Sequence, residues 1–372
     1  MENAPIIIIC REGYENILRE EMTAKGAIPE SAGLNSPLIA PGAGLLVIGA
    51  PAKTADVDRL AAPFIFEQQR LEAALWFDNQ PLKAMARAIV VRLLPAISRQ
   101  TQPWTLHTFA SNPNGAQPLT QRADHVRRTV LDFCADRFTV VFRRYREPDA
   151  FVSADAFLVL QVCVTPAGLW GAVMPSHRLS DARAGGVHRM RFDTQAPSRS
   201  YLKIEEVFER MGEMPAPGQR VVDLGAAPGG WSYAFLKRGC RVLAVDNGPL
   251  KLKSLGGAGG SLEHLRENGI SFTPPPAWRP LDWMASDMLI PPGQTLGMIR
   301  KWMEHAWARR FVFNVKLPQQ HPYPVLKPIE AFLHSQSGIK FNIRQLYHDR
   351  REVTVFGKFQ IPSSKFQGNA TN

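Results

Sequence analysis

Cysteine is scarce in this sequence, and its spacing argues against several kinds of site. The 372 residues contain four cysteines, at positions 10, 134, 163 and 240, and no two of them are spaced as C-x-x-C. Zinc ribbons, redox dithiols and disulfide scaffolds need closer or paired cysteines. His264, His305 and His348 have no ligand spacing either. We therefore predict reduced, mostly buried thiols and no metal site.

Long apolar runs are also lacking. No window approaches the ~18 consecutive apolar residues that a membrane-spanning helix needs. The opening residues, MENAPIIIICREGYENILREEM, have neither the basic start nor the extended apolar stretch of a secretory signal. Apolar residues make up 45% of the chain, which is enough to form buried cores. We expect a soluble, cytoplasmic protein that is monomeric and does not bind a membrane.

Acidic residues are fewer than basic ones. The chain has 33 Asp and Glu against 44 Lys and Arg, which gives a formal net charge of +11. Such an excess indicates a polyanionic partner where the arginines cluster. One cluster lies between Ser176 and Ser200 and contains Arg178, Arg183, Arg189, Arg191 and Arg199. We interpret residues 176–197 as a basic linker that is either simply solvated or lines a channel for an acidic polymer.

Hydrophobic periodicity divides the chain into two parts. Residues 1–175 mix strand-like runs such as PIIIIC with helix-like runs such as LTQRADHVRRTVLDFCADRF, which predicts an α+β domain of one or two lobes. Within it, FIFEQQRLEAALWF is ambiguous between strand and helix. Residues 198–372 alternate strands and helices, apart from a Gly- and Pro-rich excursion after VDNGP. This alternation predicts an α/β fold, a doubly wound parallel sheet with an antiparallel edge strand.

The first strand-to-helix turn of the second part, DLGAAPGG, indicates a ligand site. Ligands of doubly wound sheets bind at the carboxyl ends of strands, and Gly225, Gly229 and Gly230 let the backbone approach closely. The spacing is not G-x-G-x-x-G and no Lys-Ser/Thr follows, which disfavours a dinucleotide or P-loop site. Asp246 lies about 20 residues on, where an acid binds ribose hydroxyls. S-adenosylmethionine, a nucleoside without a phosphate, fits this pattern; a purely structural turn is the alternative.

Several motifs in the second part resemble one enzyme family. SRSYLKIEE, DLGAAPGGWS, VDNGP, SDM, NVKLP and REVTV occur in the order found in the FtsJ/RrmJ-like ribose 2′-O-methyltransferases, between Ser198 and Phe356. APSRSYLK, FNVKLP and RQLYHDRREVTV look like the members that methylate a cytidine in the peptidyl-transferase region of 23S rRNA. The resemblance implies a Rossmann-like S-adenosylmethionine-dependent methyltransferase domain over residues 198–372. It also implies a THUMP-like RNA-binding region over residues 1–175.

The resemblance assigns a catalytic tetrad to Lys203, Asp287, Lys316 and Glu352. A ribose 2′-hydroxyl is a poor nucleophile, and a lysine can take its proton only when the pKa of the lysine falls well below its usual value. The implied roles make Lys316 the general base and let Lys203 and Glu352 hold it. Asp287 would orient Lys316 and lie close to the methyl donor.

The same resemblance assigns the cofactor contacts. They are Ser200, Gly225, Ala227, Pro228, Gly229, Gly230, Asp246, Asn268 and Asp287. Asn268 departs from the family pattern, which has an acid at this position of LRENG, but an amide can both donate to and accept from adenine. Ala227 stands where close relatives commonly have a cysteine, and we expect no effect from this change.

The predicted RNA contacts lie outside the tetrad. They are the basic linker with Arg122, Arg127, Arg128, Arg143, Arg144, Arg146, Arg350 and Arg351. Trp231, Trp278 and Trp283 are candidates for stacking on bases, although packing in a core is the simpler explanation for each.

The predicted function is S-adenosylmethionine-dependent 2′-O-methylation of a cytidine ribose in 23S rRNA or in a large-subunit precursor. One alternative is a methyltransferase that acts on another RNA or on a base. A second is a non-catalytic RNA-binding factor for ribosome assembly. A third, a nicotinamide-dependent dehydrogenase, is disfavoured by the glycine spacing.

Overall fold

The chain folds into two units. The computed structural model describes residues 4–28, 44–49, 63–112, 117–148, 156–252 and 259–359. The division between the units falls between His188 and Arg189, inside the predicted linker. In that stretch the Asp181 carbonyl oxygen accepts a hydrogen bond from Gln69 Nε2 of the N-terminal unit at 2.8 Å, and Asp193 accepts one from the Tyr233 hydroxyl of the C-terminal unit at 2.8 Å. Each part of the stretch is therefore fastened to its own unit.

The N-terminal unit is an α+β domain. Its elements are β1 (Ile6–Cys10), α1 (Glu15–Ala24), β2 (Leu45–Ile48), β3 (Glu67–Leu71), β4 (Leu75–Asp78), α2 (Leu82–Ser98), β5 (Trp104–Ala110), α3 (Gln117–Arg137), α4 (Thr139–Phe142), β6 (Leu158–Val164) and β7 (Gly168–Pro175). One sheet has the order β2-β1-β3 and is antiparallel. The other has the order β4-β7-β6-β5, in which only β5 and β6 are parallel.

The ambiguous run FIFEQQRLEAALWF forms the two strands β3 and β4. Strand β3 reads EQQRL and is buried throughout. Its polar side chains are tolerated there because Arg70 donates to both Glu67 carboxylate oxygens at 2.6 Å. A buried strand with this composition has no apolar run, and periodicity could not identify it.

The C-terminal unit contains a seven-stranded sheet with helices. Its elements are α5 (Tyr201–Met211), β8 (Arg220–Leu224), α6 (Gly230–Leu236), β9 (Arg241–Val245), β10 (Ser261–Leu265), β11 (Leu281–Ser286), α7 (Pro292–Glu304), β12 (Ala308–Lys316), α8 (Lys327–Ser335), β13 (Ile339–Arg344) and β14 (Glu352–Phe359). The strand order is β10-β9-β8-β11-β12-β14-β13. The first five are parallel, and β14 is antiparallel to both β12 and β13. The predicted doubly wound sheet with an antiparallel edge is confirmed.

Strand β10 was not predicted. It lies in the excursion after VDNGP and pairs with β9 at the edge of the sheet. Its residues, SLEHL, are exposed or half-buried. An edge strand that buries neither face lacks the apolar pattern from which strands are recognised.

Aromatic side chains form the core of the C-terminal unit. Trp231 and Trp283 are 2% and 0% exposed, and the Trp283 ring packs against Phe208 and Phe235. Base stacking is therefore the wrong interpretation for these two tryptophans. Trp278 is half-buried beneath the guanidinium of Arg241.

The thiols agree with the sequence prediction, since all four cysteines are free and buried. Among the described residues, no group of three or more His, Cys, Asp or Glu side chains is arranged to hold a metal ion. Within the same ranges, the helices are too short or too polar to cross a membrane.

Candidate active site

The four tetrad residues meet at the carboxyl ends of the parallel strands of the seven-stranded sheet. Asp287 follows β11, Lys316 ends β12, and Glu352 begins β14 directly opposite Lys316. Lys203 reaches the same strand ends from α5. The parallel strands β11 and β12 end on this side of the sheet, and the antiparallel strand β14 begins there. Residues far apart in sequence therefore become neighbours.

The tetrad forms a closed ring of alternating charges. Lys203 Nζ lies 2.6 Å from Glu352 Oε1 and 3.4 Å from each Asp287 carboxylate oxygen. Lys316 Nζ donates to Asp287 Oδ1 at 2.9 Å and to Glu352 Oε2 at 3.3 Å. Each lysine therefore contacts both carboxylates. The Lys316 side chain is 19% exposed and that of Lys203 is 11% exposed, so Lys316 is the more accessible amine.

Charge pairing outweighs burial in this ring. Burial alone would lower the pKa of Lys203, but the neighbouring carboxylates, Asp287 first and then Glu352, raise it above its ordinary value. Burial would raise the pKa of Glu352, and the cations of Lys203 and Lys316 instead bring it below its ordinary value. Lys203 and Glu352 are accordingly both charged at neutral pH.

The glycine-rich turn lies beside the ring, between β8 and α6. Gly225 has a φ of +75°, and a Cβ on it would lie 2.3 Å from Met288 Cγ, next to Asp287. The shape of the turn is fixed by Asp246, which accepts the Ala227 N–H at 3.0 Å and the Gly248 N–H at 2.6 Å. The turn and the end of β11 are thus held in close contact.

Two further predicted cofactor contacts, Asn268 and Ser200, lie on either side of the glycine-rich turn; we refer to the region between the turn and the ring as the crevice. Asn268 is exposed and accepts the Ile270 N–H at 2.8 Å, and the loop it begins touches the turn, because a Cβ on Gly269 would lie 3.4 Å from Gly225 N. On the other side, a Cβ on Gly230 would lie 2.2 Å from Ser200 Oγ.

The arrangement suits a nucleoside. Asn268, Asp246, the turn, Asp287 and Lys316 follow or end the adjacent parallel strands β10, β9, β8, β11 and β12 in that order. A carboxylate has about four acceptor positions, and Asp246 uses two of them on backbone N–H groups. The others can accept ribose hydroxyls, while the Asn268 amide can pair with a base. These residues fit S-adenosylmethionine.

Four polar side chains around the ring were not predicted from the sequence. Asp223 on β8 is 1% exposed and accepts a hydrogen bond from Ser232 Oγ at 2.6 Å. Burial, reinforced by the nearby Asp287 and Asp246, raises the pKa of Asp223 to about 7. The other three are Asn314, Asp349 and Thr354, which connect to Asp287 from behind. The sequence signal was that Asp223, Asn314 and Thr354 are polar residues inside the otherwise apolar strands β8, β12 and β14. Asp349 lies in the loop before β14 and has no such signal.

The predicted RNA-binding arginines differ in their exposure and in their partners within the chain. Partners within the chain engage Arg122, Arg127, Arg144 and Arg178. The exposed arginines are Arg128, Arg143, Arg146, Arg178, Arg183, Arg189, Arg191, Arg199, Arg350 and Arg351. Of these, Arg128 and Arg146 donate to nearby backbone carbonyl groups. Arg350 and Arg351 directly precede Glu352, so positive charge borders the ring.

Comparison with known proteins agrees with this geometry. Residues 196–288 match the model of the FtsJ-like methyltransferase family. Ribosomal RNA large subunit methyltransferase M of Laribacter hongkongensis is 42% identical over 200 residues, which are 50% of this chain and 52% of the relative. The protein of the same name from Halorhodospira halophila is 31% identical over 368 residues, covering 96% of this chain and 98% of the relative.

Solved structures match at lower levels. Magnesium protoporphyrin IX methyltransferase of Synechocystis, with S-adenosylmethionine bound, is 14% identical at a TM-score of 0.31 and covers 46% of this chain and 86% of that one. The near full-length relatives and the family match lead to one assignment. The chain belongs to the ribosomal RNA large subunit methyltransferase M family, whose members are FtsJ-like, S-adenosylmethionine-dependent methyltransferases.

Proposed function

We propose that this enzyme methylates the ribose 2′-oxygen of a cytidine in 23S rRNA, with Lys316 as the general base. The observation that carries the proposal is the ring of Lys203, Asp287, Lys316 and Glu352 beside the glycine-rich turn. A 2′-hydroxyl must lose its proton as it attacks, and a positioned amine is the chemical group that can accept it.

The ring divides the work between its two lysines. Lys203 is the more buried, and its raised pKa keeps it protonated, so its charge is fixed. Lys316 is more exposed and is oriented by Asp287 and Glu352. When Lys316 Nζ is neutral, its lone pair takes the proton of the 2′-hydroxyl. Lys203 then stabilises the two carboxylates that would otherwise repel each other.

The crevice residues hold the cofactor. When bound, S-adenosylmethionine supplies an electrophilic methyl group. Asp246 would accept the ribose hydroxyls, Asn268 would pair with adenine, and the turn at Ala227, Pro228, Gly229 and Gly230 would lie along the nucleoside with Ser200 beside it. The exposed arginines, above all Arg350 and Arg351 next to the ring, would contact the RNA phosphates.

Two alternatives give different products. A methyltransferase that acts on a base would label nucleotides whose 2′-hydroxyl is still free. A non-catalytic assembly factor would bind RNA without transferring label, and the complete charged ring argues against it.

The test is transfer of labelled methyl from S-adenosylmethionine to unmodified 23S rRNA, followed by alkaline hydrolysis. Alkaline cleavage needs a free 2′-hydroxyl, so 2′-O-methylation leaves the label in alkali-resistant dinucleotides, and we expect cytidine at their 5′ position. Label in mononucleotides would move the chemistry to a base. Binding of RNA and cofactor without any transfer would favour the assembly factor.

Lys316→Ala and Lys316→Arg test the base. Both should lower kcat by about 10²-fold or more, because an arginine keeps the charge but does not give up a proton. Cofactor affinity, measured by calorimetry, should stay near that of the natural chain. Lys340→Ala, which removes an exposed lysine from β13, is the control and should leave kcat unchanged. An active Lys316→Arg variant would refute the assignment.

Asp246→Ala tests the cofactor site. It removes the acceptor of the Ala227 and Gly248 N–H groups as well as the proposed ribose contact. S-adenosylmethionine should bind at least about tenfold more weakly, since a hydrogen bond to a charged group contributes about 1.5–3 kcal/mol. Asp246→Asn keeps one acceptor oxygen and should show a smaller loss. Equal affinity in all three proteins would contradict the assignment.

A further inference from the structure

A chain of three buried polar side chains runs behind the ring. Asn314 Nδ2 donates to Asp287 Oδ1 at 2.5 Å, and Thr354 Oγ1 lies 2.7 Å from Asn314 Oδ1. Beyond it, Thr354 Oγ1 lies 3.0 Å and 3.2 Å from the two carboxylate oxygens of Asp349. Asn314, Thr354 and Asp349 are at most 3% exposed, so their hydrogen bonds are shielded from bulk water.

The number of protons in this chain fixes the direction of each hydrogen bond. Asp287 accepts from both lysines and is therefore an ionised acceptor, which requires Asn314 to direct its NH₂ group toward it. The Asn314 carbonyl oxygen then faces Thr354, whose single hydroxyl proton makes this shorter contact. Thr354 has no second proton for Asp349. An ionised Asp349 would place acceptor against acceptor inside the protein.

The surroundings of Asp349 favour its neutral form. Its Oδ2 accepts the Leu346 N–H at 2.9 Å, which leaves Oδ1 to hold a proton. Burial raises the pKa of Asp349 well above its ordinary value; Lys203 opposes this effect, while the negative charges of Glu352 and Glu206 add to it.

We propose that Asp349 is a protonated, uncharged positioning residue whose O–H donates to Thr354 and so fixes the chain from Thr354 through Asn314 to Asp287. The catalytic meaning of this chain rests on the function proposed above. The Thr354 hydroxyl then accepts a hydrogen bond from Asp349 and donates its own proton to Asn314, and these two bonds fix its orientation. Asn314 is then held with its amide on Asp287, and Asp287 in turn orients Lys316.

A neutral Asp349 also preserves the charge balance of the ring. Lys203 and Lys316 are matched by Asp287 and Glu352, two positive charges against two negative ones. A third carboxylate behind the ring would attract the lysine protons more strongly and oppose release from Lys316. The protonated form positions Asp287 without this penalty.

Asp349→Asn is the decisive variant because it replaces the O–H donor with an N–H donor of the same shape. We expect its kcat to stay within about threefold of the natural chain, since the hydrogen bond is kept. Asp349→Ala and Thr354→Val lose the donor and should lower kcat by about tenfold, with little change in KM for RNA. The pH–rate profile of Asp349→Asn should be unchanged.

Infrared difference spectroscopy tests the protonation state without RNA or methyl transfer. The spectrum of the natural chain minus that of Asp349→Asn, at neutral pH, should contain the carbonyl band of a buried protonated carboxylic acid. This readout separates the proposal from the enzymatic function, and it stays decisive if Asp349→Ala fails to fold.

Either of two results would overturn the proposal. One is a difference spectrum with only carboxylate bands. The other is an Asp349→Asn variant as impaired as Asp349→Ala, with its pH–rate profile displaced to lower pH. That displacement is the effect of removing a negative charge that had held the lysine protons.

Discussion

At the scale of single residues, Asp223 couples the stability of the chain to pH. Its pKa rises from an ordinary 3.8 to about 7 in the folded protein because the carboxyl is buried. The folded state therefore holds the proton more tightly than the unfolded state. The free energy of unfolding should fall as the pH rises from about 4 to about 7, at up to about 1.4 kcal/mol per pH unit, and should not recover above that range.

Asp223→Asn should remove this pH dependence. The variant should be the more stable protein at alkaline pH, because it no longer buries a charge, and the gain should shrink as the pH falls toward 4. Urea unfolding at a series of pH values measures the difference. Asp282→Asn, at the start of β11, is the control for loss of a strand carboxyl. A difference that does not vary with pH would show that Asp223 is not the titrating group.

At the scale of elements, the pairing of β13 with β14 depends on Gly357. A Cβ at this position would lie 2.3 Å from the Lys340 carbonyl oxygen and 2.8 Å from Phe311 Cζ, and the backbone atom cannot move without breaking the pairing. Gly357→Ala should lower the free energy of unfolding by about 2 kcal/mol or more. The loss should be accompanied by weaker activity, because β14 carries Glu352.

Gly297→Ala is the control for Gly357→Ala, because it makes the same substitution where there is space for the added Cβ. Gly297 lies exposed within α7, and a Cβ there meets nothing within 4 Å. Alanine should raise the free energy of unfolding by about 0.5–1 kcal/mol, since it restricts the unfolded chain and favours the helix. Chemical denaturation of both variants measures the contrast. Equal changes in the free energy of unfolding would contradict this prediction and would mean that the edge strand β13 shifts to make room for the Cβ at Gly357.

Features that depend on local sequence could be predicted, whereas those that depend on the pairing of distant strands could not. The alternation of β8, α6 and β9 and the turn at Gly225 were recognisable because apolar periodicity and glycine placement are local signals. Asn314 and Thr354 were not, because their contact depends on the register of β12 with β14, and a slip of one residue would turn either side chain to the opposite face. Strand β10 escaped notice because it buries little.

At the scale of the whole molecule, the two units should be separable. Every residue proposed to bind the cofactor or form the ring lies after His188, and the aromatic core around Trp283 is built only from the C-terminal unit. A fragment of residues 189–372 should fold cooperatively and bind S-adenosylmethionine about as tightly as the full chain. Its methylation of 23S rRNA should be reduced at least about tenfold, as expected when one of two linked binding modules is lost.

Calorimetry and the labelled-methyl assay on the same fragment measure these two properties. Residues 1–188 are the complementary fragment and should bind RNA but not the cofactor. Full RNA methylation by residues 189–372 would show that the N-terminal unit does not contribute to substrate binding.

The position of β14 in the sheet has a consequence for how the enzyme is made. This strand lies between β12 and β13, and among the described strands β13 has no other neighbour. During synthesis β13 is made before β14, and it cannot pair with β14 until the residues through Phe359 have been added. Glu352 lies on β14, so a translation product interrupted before Phe359 has a sheet end and a ring that are both incomplete. We expect the chain to acquire activity in a single step, when β14 pairs with both of its neighbours, rather than gradually.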